Sequence, residues 1–209
     1  MYKKSIVTLF AAFITLSSVF AKEPPLTVIS GDLSSALAVG GAARFEIDFS
    51  NAQIGSLKDG DFVNKETVMG YEEYLKTKDA KQLERWEKDL KGWRNIFIVT
   101  FNKKNKKGLQ LDMDEGTNHD YTVRLVVEKC DFGDLGKSIA SHLVSPLIAS
   151  RKTGGATLIG RVEFIGNQNK EVLCNIKING VSGTGNASVG SRMVTIFMDI
   201  AKYIFKIKK

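Results

Sequence analysis

The sequence predicts a two-layer α+β (α/β) sandwich, a mixed and mainly antiparallel sheet with two long helices packed on one face. Three observations point there. Leu83, Trp86, Leu90, Trp93 and Phe97 recur at spacings of 3, 4, 3 and 4, a single apolar stripe on a helical period. Met193, Ile196, Phe197, Ile200 and Ile204 form a second stripe near the end of the chain. Elsewhere apolar and polar residues alternate, as Phe45, Ile47 and Phe49 do against Arg44, Glu46 and Asp48, the mark of a half-buried strand. A striped helix must bury its apolar side, and a sheet with one apolar face is its natural partner.

Taken in order, Leu26 to Ile29 and Ala43 to Phe49 read as strands, with Gly40-Gly41 breaking the chain before the second and Gly55 to Gly60 after it. Asp61 to Lys78 turns helical, with Asp61 as N-cap and Val68, Tyr71 and Leu75 on one side. In the striped helix after it, Glu84, Lys88, Lys91 and Arg94 take the solvent side, and Trp86 and Trp93 are core anchors. Ile96 to Phe101 favours strand by propensity, but the stripe passes through Phe97 and Phe101 in phase, so the helix continues to about Lys104. Leu109 to Met113 is a short strand. Asp120 to Cys130 is a longer one, with Tyr121, Val123, Leu125 and Val127 facing the core. Ala156 to Ile165 and Glu171 to Val181 form a hairpin across Gly166-Asn167-Gln168-Asn169. A last helix spans Ser188 to Lys206, with Lys202, Lys206 and Lys209 near the negative end of its dipole.

Phe132 to Gly155 is longer than connections in compact domains usually are. It carries Leu135, Ile139, Leu143 and Leu147 at helical spacing between glycines. It reads either as a cap on the sheet or as an apolar element that meets a partner or a lipid surface.

The first 21 residues have the make-up of a secretory leader. Lys3 and Lys4 form a basic start, Ile6 to Val19 an apolar run, and Val19-Phe20-Ala21 a small-x-small cleavage pattern. The run is shorter than the about 20 apolar residues that span a bilayer. The expectation is a signal peptide over 1–21 and one domain over 22–209, in the periplasm or secreted. That domain suits the usual size of about 100–200 residues and buries enough surface to need no metal or disulfide.

The net charge of +7 includes Lys3 and Lys4 and no leader acid, which leaves +5 on the rest. Lysines are scattered among acids except in the turn Lys103 to Lys107 and at the C-terminus. This is not the one-sided basic face of a nucleic-acid binder, so no nucleic acid is expected. The two cysteines, Cys130 and Cys174, can bridge in an oxidising compartment. Cys174 shares the apolar phase of Val172, Ile176 and Ile178, whereas Cys130 falls out of phase with Tyr121, Val123, Leu125 and Val127. Two buried free thiols is therefore the reading favoured over a Cys130–Cys174 bridge.

Chemical motifs are sparse. Gly183-Thr184-Gly185 and Gly190 lack the third glycine and the downstream acid of a dinucleotide fingerprint. Asp112 to Asp120 gathers oxygen donors, but the sixth and twelfth places of a calcium loop hold Thr117 and Val123. His119 and His142 stand apart from any zinc-type cluster, and there is no Gly-x-Ser-x-Gly elbow. No cofactor, no metal and no catalytic residue is expected.

The striped helix, the strand Asp120-Tyr121-Thr122-Val123-Arg124-Leu125-Val126-Val127, Asp131-Phe132-Gly133 and the hairpin from Gly155 to Val181 with its terminal helix together resemble small exported α/β proteins of Bacteroidota without assigned function. In layout they are similar to envelope modules such as the curli-secretion lipoprotein and the amino-terminal domain of the translocation protein of the Tol system. The chain departs from the lipoproteins in lacking a cysteine at the leader junction. The resemblance implies an envelope α/β domain and transfers no functional residue.

The functional expectation is a non-catalytic exported module that assembles with a protein partner in the envelope. Two alternatives stand beside it. One is a peripheral membrane protein that lays its basic, amphipathic C-terminal helix in the interface. The other is a hydrolase of an envelope or extracellular polymer using Asp112, Asp114, Glu115 and Asp120. Composition leaves the oligomeric state open.

Overall fold

The computed structural model describes residues 23–114, 118–133, 155–183 and 188–207. Its elements are β1 (Leu26–Gly31), α1 (Leu33–Ala38), β2 (Ala42–Asp48), β3 (Gln53–Ile54), β4 (Leu57–Lys58), β5 (Asp61–Phe62), β6 (Met69–Gly70), α2 (Tyr71–Lys76), α3 (Ala80–Lys104), β7 (Gln110–Leu111), β8 (Tyr121–Asp131), β9 (Ala156–Gly166), β10 (Glu171–Gly183) and α4 (Val189–Ile204). The main sheet runs β1-β10-β9-β8-β2-β7. Its long neighbours β1, β10, β9 and β8 are antiparallel, while β2 runs parallel to both β8 and β7. β3 continues the line of β2 along β8 and pairs on its other side with β6. The expected fold class is therefore the observed one: a mixed, mainly antiparallel sheet with α3 and α4 packed on one face.

α3 begins in a capping box. The Asp79 carboxylate accepts from the Gln82 amide at 2.8 Å, and the Gln82 side chain accepts from the Asp79 amide at 3.1 Å, which satisfies two otherwise orphan donors. The aromatic part of its stripe, Trp86, Trp93, Phe97 and Phe101, is buried as expected, whereas Leu83 and Leu90 are half-exposed. Phe97 lies flat on Phe45 of β2 at 4.1 Å, and Trp93 stacks on Phe197 of α4 at 5.7 Å. The helix wins over strand propensity at residues 96–101 because these rings must stay on one side. Arg94 departs from expectation. Instead of facing solvent it is buried, and its guanidinium donates to the carbonyls of Phe45, Met113 and Asp112. It thereby closes the open edge of β2.

Two corrections concern local structure. The stretch expected to be helical from Asp61 instead folds as the β4–β5 hairpin, a 3₁₀ turn at Lys65–Thr67, and only then α2. Asp59 and Gly60 take φ of 52° and 91°, the left-handed pair that a two-residue hairpin turn demands. Asp61 is thus committed to a strand, and α2 starts at Tyr71 with Gly70 in the cap position. The short helix α1, unanticipated, is capped by Asp32, whose carboxylate accepts from the Ser34 amide and the Ser35 hydroxyl.

Cys130 requires a third correction. The β8–β9 register shifts between Val127 and Lys129, so Cys130 returns to the core phase opposite Leu158. A bulge inserts one residue and so turns the rest of the strand to the opposite phase. Both cysteines are buried and free. Cys130 pairs with Leu158 and Cys174 with Phe164, six places along β9, or about 20 Å at ~3.3 Å per residue. A bridge needs Cα atoms within about 7 Å.

The other sheet face is not covered by a described helix. It carries ion pairs at 2.6–3.1 Å, across strands between Glu46 and Arg124 and between Arg161 and Glu128, and within a strand between Arg44 and Glu46 and between Arg161 and Glu163. Leu135, Ile139, Leu143 and Leu147 lie outside the described residues.

The packing of α4 allows little room. A Cβ on Gly183 at the end of β10 would stand 2.1 Å from the Arg192 carbonyl oxygen. Gly183→Val is expected to destabilise by about 1–3 kcal/mol through overpacking, and Trp93→Ala by about 3–5 kcal/mol through an unfilled core. Urea denaturation of each variant reads these changes.

Candidate functional site

An apolar groove of about 1100 Å³ lies at one edge of the sheet. One wall is the segment from Pro24 through β1, the second is α1, and the third is the end of α4 with residues 205–207. Leu26 and Ile204 form buried parts of the lining, whereas Val28, Leu33, Leu37, Tyr203, Phe205 and Ile207 remain half-exposed.

The walls are held firmly. The Asn179 amide donates to the Pro24 carbonyl at 2.9 Å and to the Thr27 hydroxyl at 3.0 Å, which fixes the approach to β1. The Leu37 carbonyl accepts from the Leu109 amide and from the Asn105 side chain, which ties α1 to the far end of α3. The described lining carries one lysine, Lys206, and one aspartate, Asp32. Lys206 is exposed at the mouth with its ammonium 5.3 Å from the Tyr203 ring centre, and Lys202 pairs with Asp199. Asp32, the acid of the lining, is engaged at the start of α1.

A second cavity of about 310 Å³ lies between α3 and the start of α4, lined by Tyr74, Lys78, Arg85, Trp86 and Asp89 among others. Asp89 stands beside Gly190, where a Cβ would meet its carboxylate at 2.8 Å. A carboxylate there complements the positive end of the α4 dipole, so this corner already has its counter-charge. The Lys78 ammonium sits 4.2 Å over the Tyr74 ring, and burial pushes the Tyr74 hydroxyl up to about 12. It stays protonated at neutral pH.

Of the acids considered for hydrolysis, Asp112, Asp114 and Asp120 line neither cavity. Asp112 accepts from the Asp114 amide at 2.9 Å and meets His119 Nε2 at 3.2 Å. These contacts, the Asp114 amide first, hold its carboxyl below the usual range. Asp112 and Asp114 thus shape the turn leading from β7 to β8, while Glu115 lies outside the described residues. Among the described residues no group of three or more His, Cys, Asp or Glu is disposed to hold a metal. None of their helices is long and apolar enough to cross a membrane.

The apolar stripe of α4 on which the membrane alternative relied, Met193, Ile196, Phe197, Ile200 and Ile204, is buried against the sheet and α3. The groove residues escaped the sequence reading. The signal was an excess: Tyr203, Phe205 and Ile207 are apolar additions that the single α4 stripe does not need.

No family model and no curated protein sequence matches the chain. Among solved structures, it is similar to a PelC dodecamer from Paraburkholderia phytofirmans, at 10% identity over 85% of this chain and 96% of that chain, with a TM-score of 0.40. It is also similar to a DUF330 protein from Xanthomonas campestris, at 8% identity over 80% of this chain and 84% of that chain, with a TM-score of 0.36.

The two buried thiols report on how firmly the core is closed. Burial pushes Cys130 well above the ordinary range and Cys174 up to about 11. Only thiolate is nucleophilic, so neither is expected to react with iodoacetamide at pH 8 in the native protein. Both should be alkylated once guanidinium unfolds it. Intact mass distinguishes the two results, and rapid native labelling would show that the sites open.

Proposed function

We propose that the chain is an exported, non-catalytic module of the cell envelope that assembles with another protein component, and that the groove beside β1 is where it holds that component. The observation that carries this reading is the groove: half-exposed apolar side chains from three elements, on walls fixed by hydrogen bonds, with no cluster of acids or histidines lining it. Such a surface suits the buried centre of an interface, which is apolar and poor in charge. The polar side chains described elsewhere mostly serve the fold itself, as Arg94 does at β2 and Asp32 at α1. The leader-like first 21 residues support export to the periplasm or beyond.

Two measurements test the reading. The exported protein is expected to have a mass starting at Lys22; retention of the leader in the cytoplasm would overturn export. A photo-reactive residue placed at Leu37 should give a discrete protein adduct in the native cells, and Leu33→Asp should abolish it while shifting the melting temperature by only a few degrees. An undiminished adduct in that variant would place the partner elsewhere.

A further inference from the structure

We propose that the pole of the molecule where α3 and α4 end rests on an anionic membrane surface, through five exposed lysines and the apolar side chains beside them. The basic turn after α3 and Lys206 at the end of α4 are far apart in the sequence, and the fold brings them together. The two helices run side by side in the same direction, since Trp93 stacks on Phe197 and Phe101 meets Phe205 at 5.2 Å. Lys103, Lys104, Lys106 and Lys107 follow Phe101, Lys206 follows Phe205, and all five are exposed.

Three stretches of chain meet at this pole. The Leu37 carbonyl accepts from Leu109 and Asn105, the Gly41 carbonyl accepts from Gln110, and Phe101 packs on Phe205. Residues 33–45, 100–111 and 200–207 contain no aspartate or glutamate. The acids of α3, Glu84, Glu87 and Asp89, lie in its first half, toward the opposite end. Asp199, the acid of α4, is taken by Lys202 at 3.1 Å, and Asp32 is engaged at the start of α1. None of the five lysines makes an ion pair among the described residues. Lys103 and Lys104 complement the dipole of α3, but Lys106 and Lys107 lie beyond the helix and serve no such purpose.

Apolar side chains border these lysines. Leu37, Tyr203, Phe205 and Ile207 are half-exposed, and the Lys206 ammonium lies 5.3 Å from the Tyr203 ring centre. Cations flanked by aromatic and aliphatic side chains suit a lipid headgroup layer, where lysines meet anionic lipids and rings settle at the boundary. A soluble acidic polymer would use the cations and leave the apolar side chains in water. The contact is made end-on by the pole, while the stripe of α4 stays in the core. Each lysine held near an anionic leaflet strengthens binding about fivefold, and salt weakens it by screening.

The test uses the protein purified after export and sucrose-loaded vesicles of phosphatidylcholine, alone or mixed with phosphatidylglycerol, at low salt. The protein should sediment with the mixed vesicles, stay in solution with phosphatidylcholine alone, and be released by added salt. Lys106→Glu combined with Lys107→Glu should weaken binding by about twentyfold or more. Lys81→Glu combined with Lys88→Glu makes the same change in net charge on the exposed first half of α3, and should weaken it far less. Melting followed by circular dichroism checks that both variants fold, and glutamine at the same positions replaces any glutamate pair that does not. Failure to bind the mixed vesicles, equal binding to both kinds, or equal loss from the two pairs of substitutions overturns the membrane contact. Binding to an acidic polysaccharide or to nucleic acid, with none to the vesicles, would assign the pole to a polymer and also overturns it. If the vesicles do not bind while the adduct at Leu37 forms in cells, assembly stands and the membrane contact alone fails.

Discussion

The structure depends on one contact layer, the aromatic stripe of α3 laid against β2 and α4. Phe97 on Phe45 and Trp93 on Phe197 join helix to sheet and helix to helix in a single unbroken core. Stacked and edge-on rings gain about 0.5–1.5 kcal/mol beyond the area they bury, but their larger effect is geometric. Large rigid rings set where α3 lies, and α3 then leaves one remaining strip of sheet, over β9 and β10, for α4. Gly183 lets the α4 backbone approach β10 closely. Arg94, carried inward by the same helix, ties off the carbonyls at the β2 edge.

The groove is a consequence of that arrangement. α4 turns its buried face to α3 and the middle of the sheet, so β1 at the sheet's end lacks full cover. α1 and residues 205–207 approach it from below without closing over it. The two edges of the sheet are therefore treated differently. Arg94 and β7 occupy the β2 side, and among the described residues no strand lies against the outer side of β1.

Several of the described reactive groups are engaged within the fold. Its two thiols are sealed beneath the helices, and Asp112 and His119 are engaged with each other at a turn. Asp89 and the start of α4 neutralise one another across the smaller cavity. The apolar lining at β1 stays half-exposed.

Most of the architecture was legible because helices and strands have different periods. The stripes of α3 and α4 and the alternation in β2, β8 and β10 depend on side-chain spacing alone, so a linear reading finds them. The D-G turn at Asp59-Gly60 was equally visible in the chain, but the apolar spacing of Val68, Tyr71 and Leu75 obscured it. The bulge that returns Cys130 to the core had no such signal. It arises from the match of β8 to β9, which no single segment carries.

The amino-acid order by itself determined the fold class, the two core helices and the leader-like start, because each arises from local periodicity or composition. Only the tertiary structure decided the pairing order that leaves β1 at an edge, the inward turn of Arg94, the separation of the cysteines, and the groove. Each of these joins residues distant in sequence, as Val28 and Leu37 meet Tyr203 and Phe205. Their proximity is a property of how the sheet and helices pack, and periodicity along one segment holds no record of it.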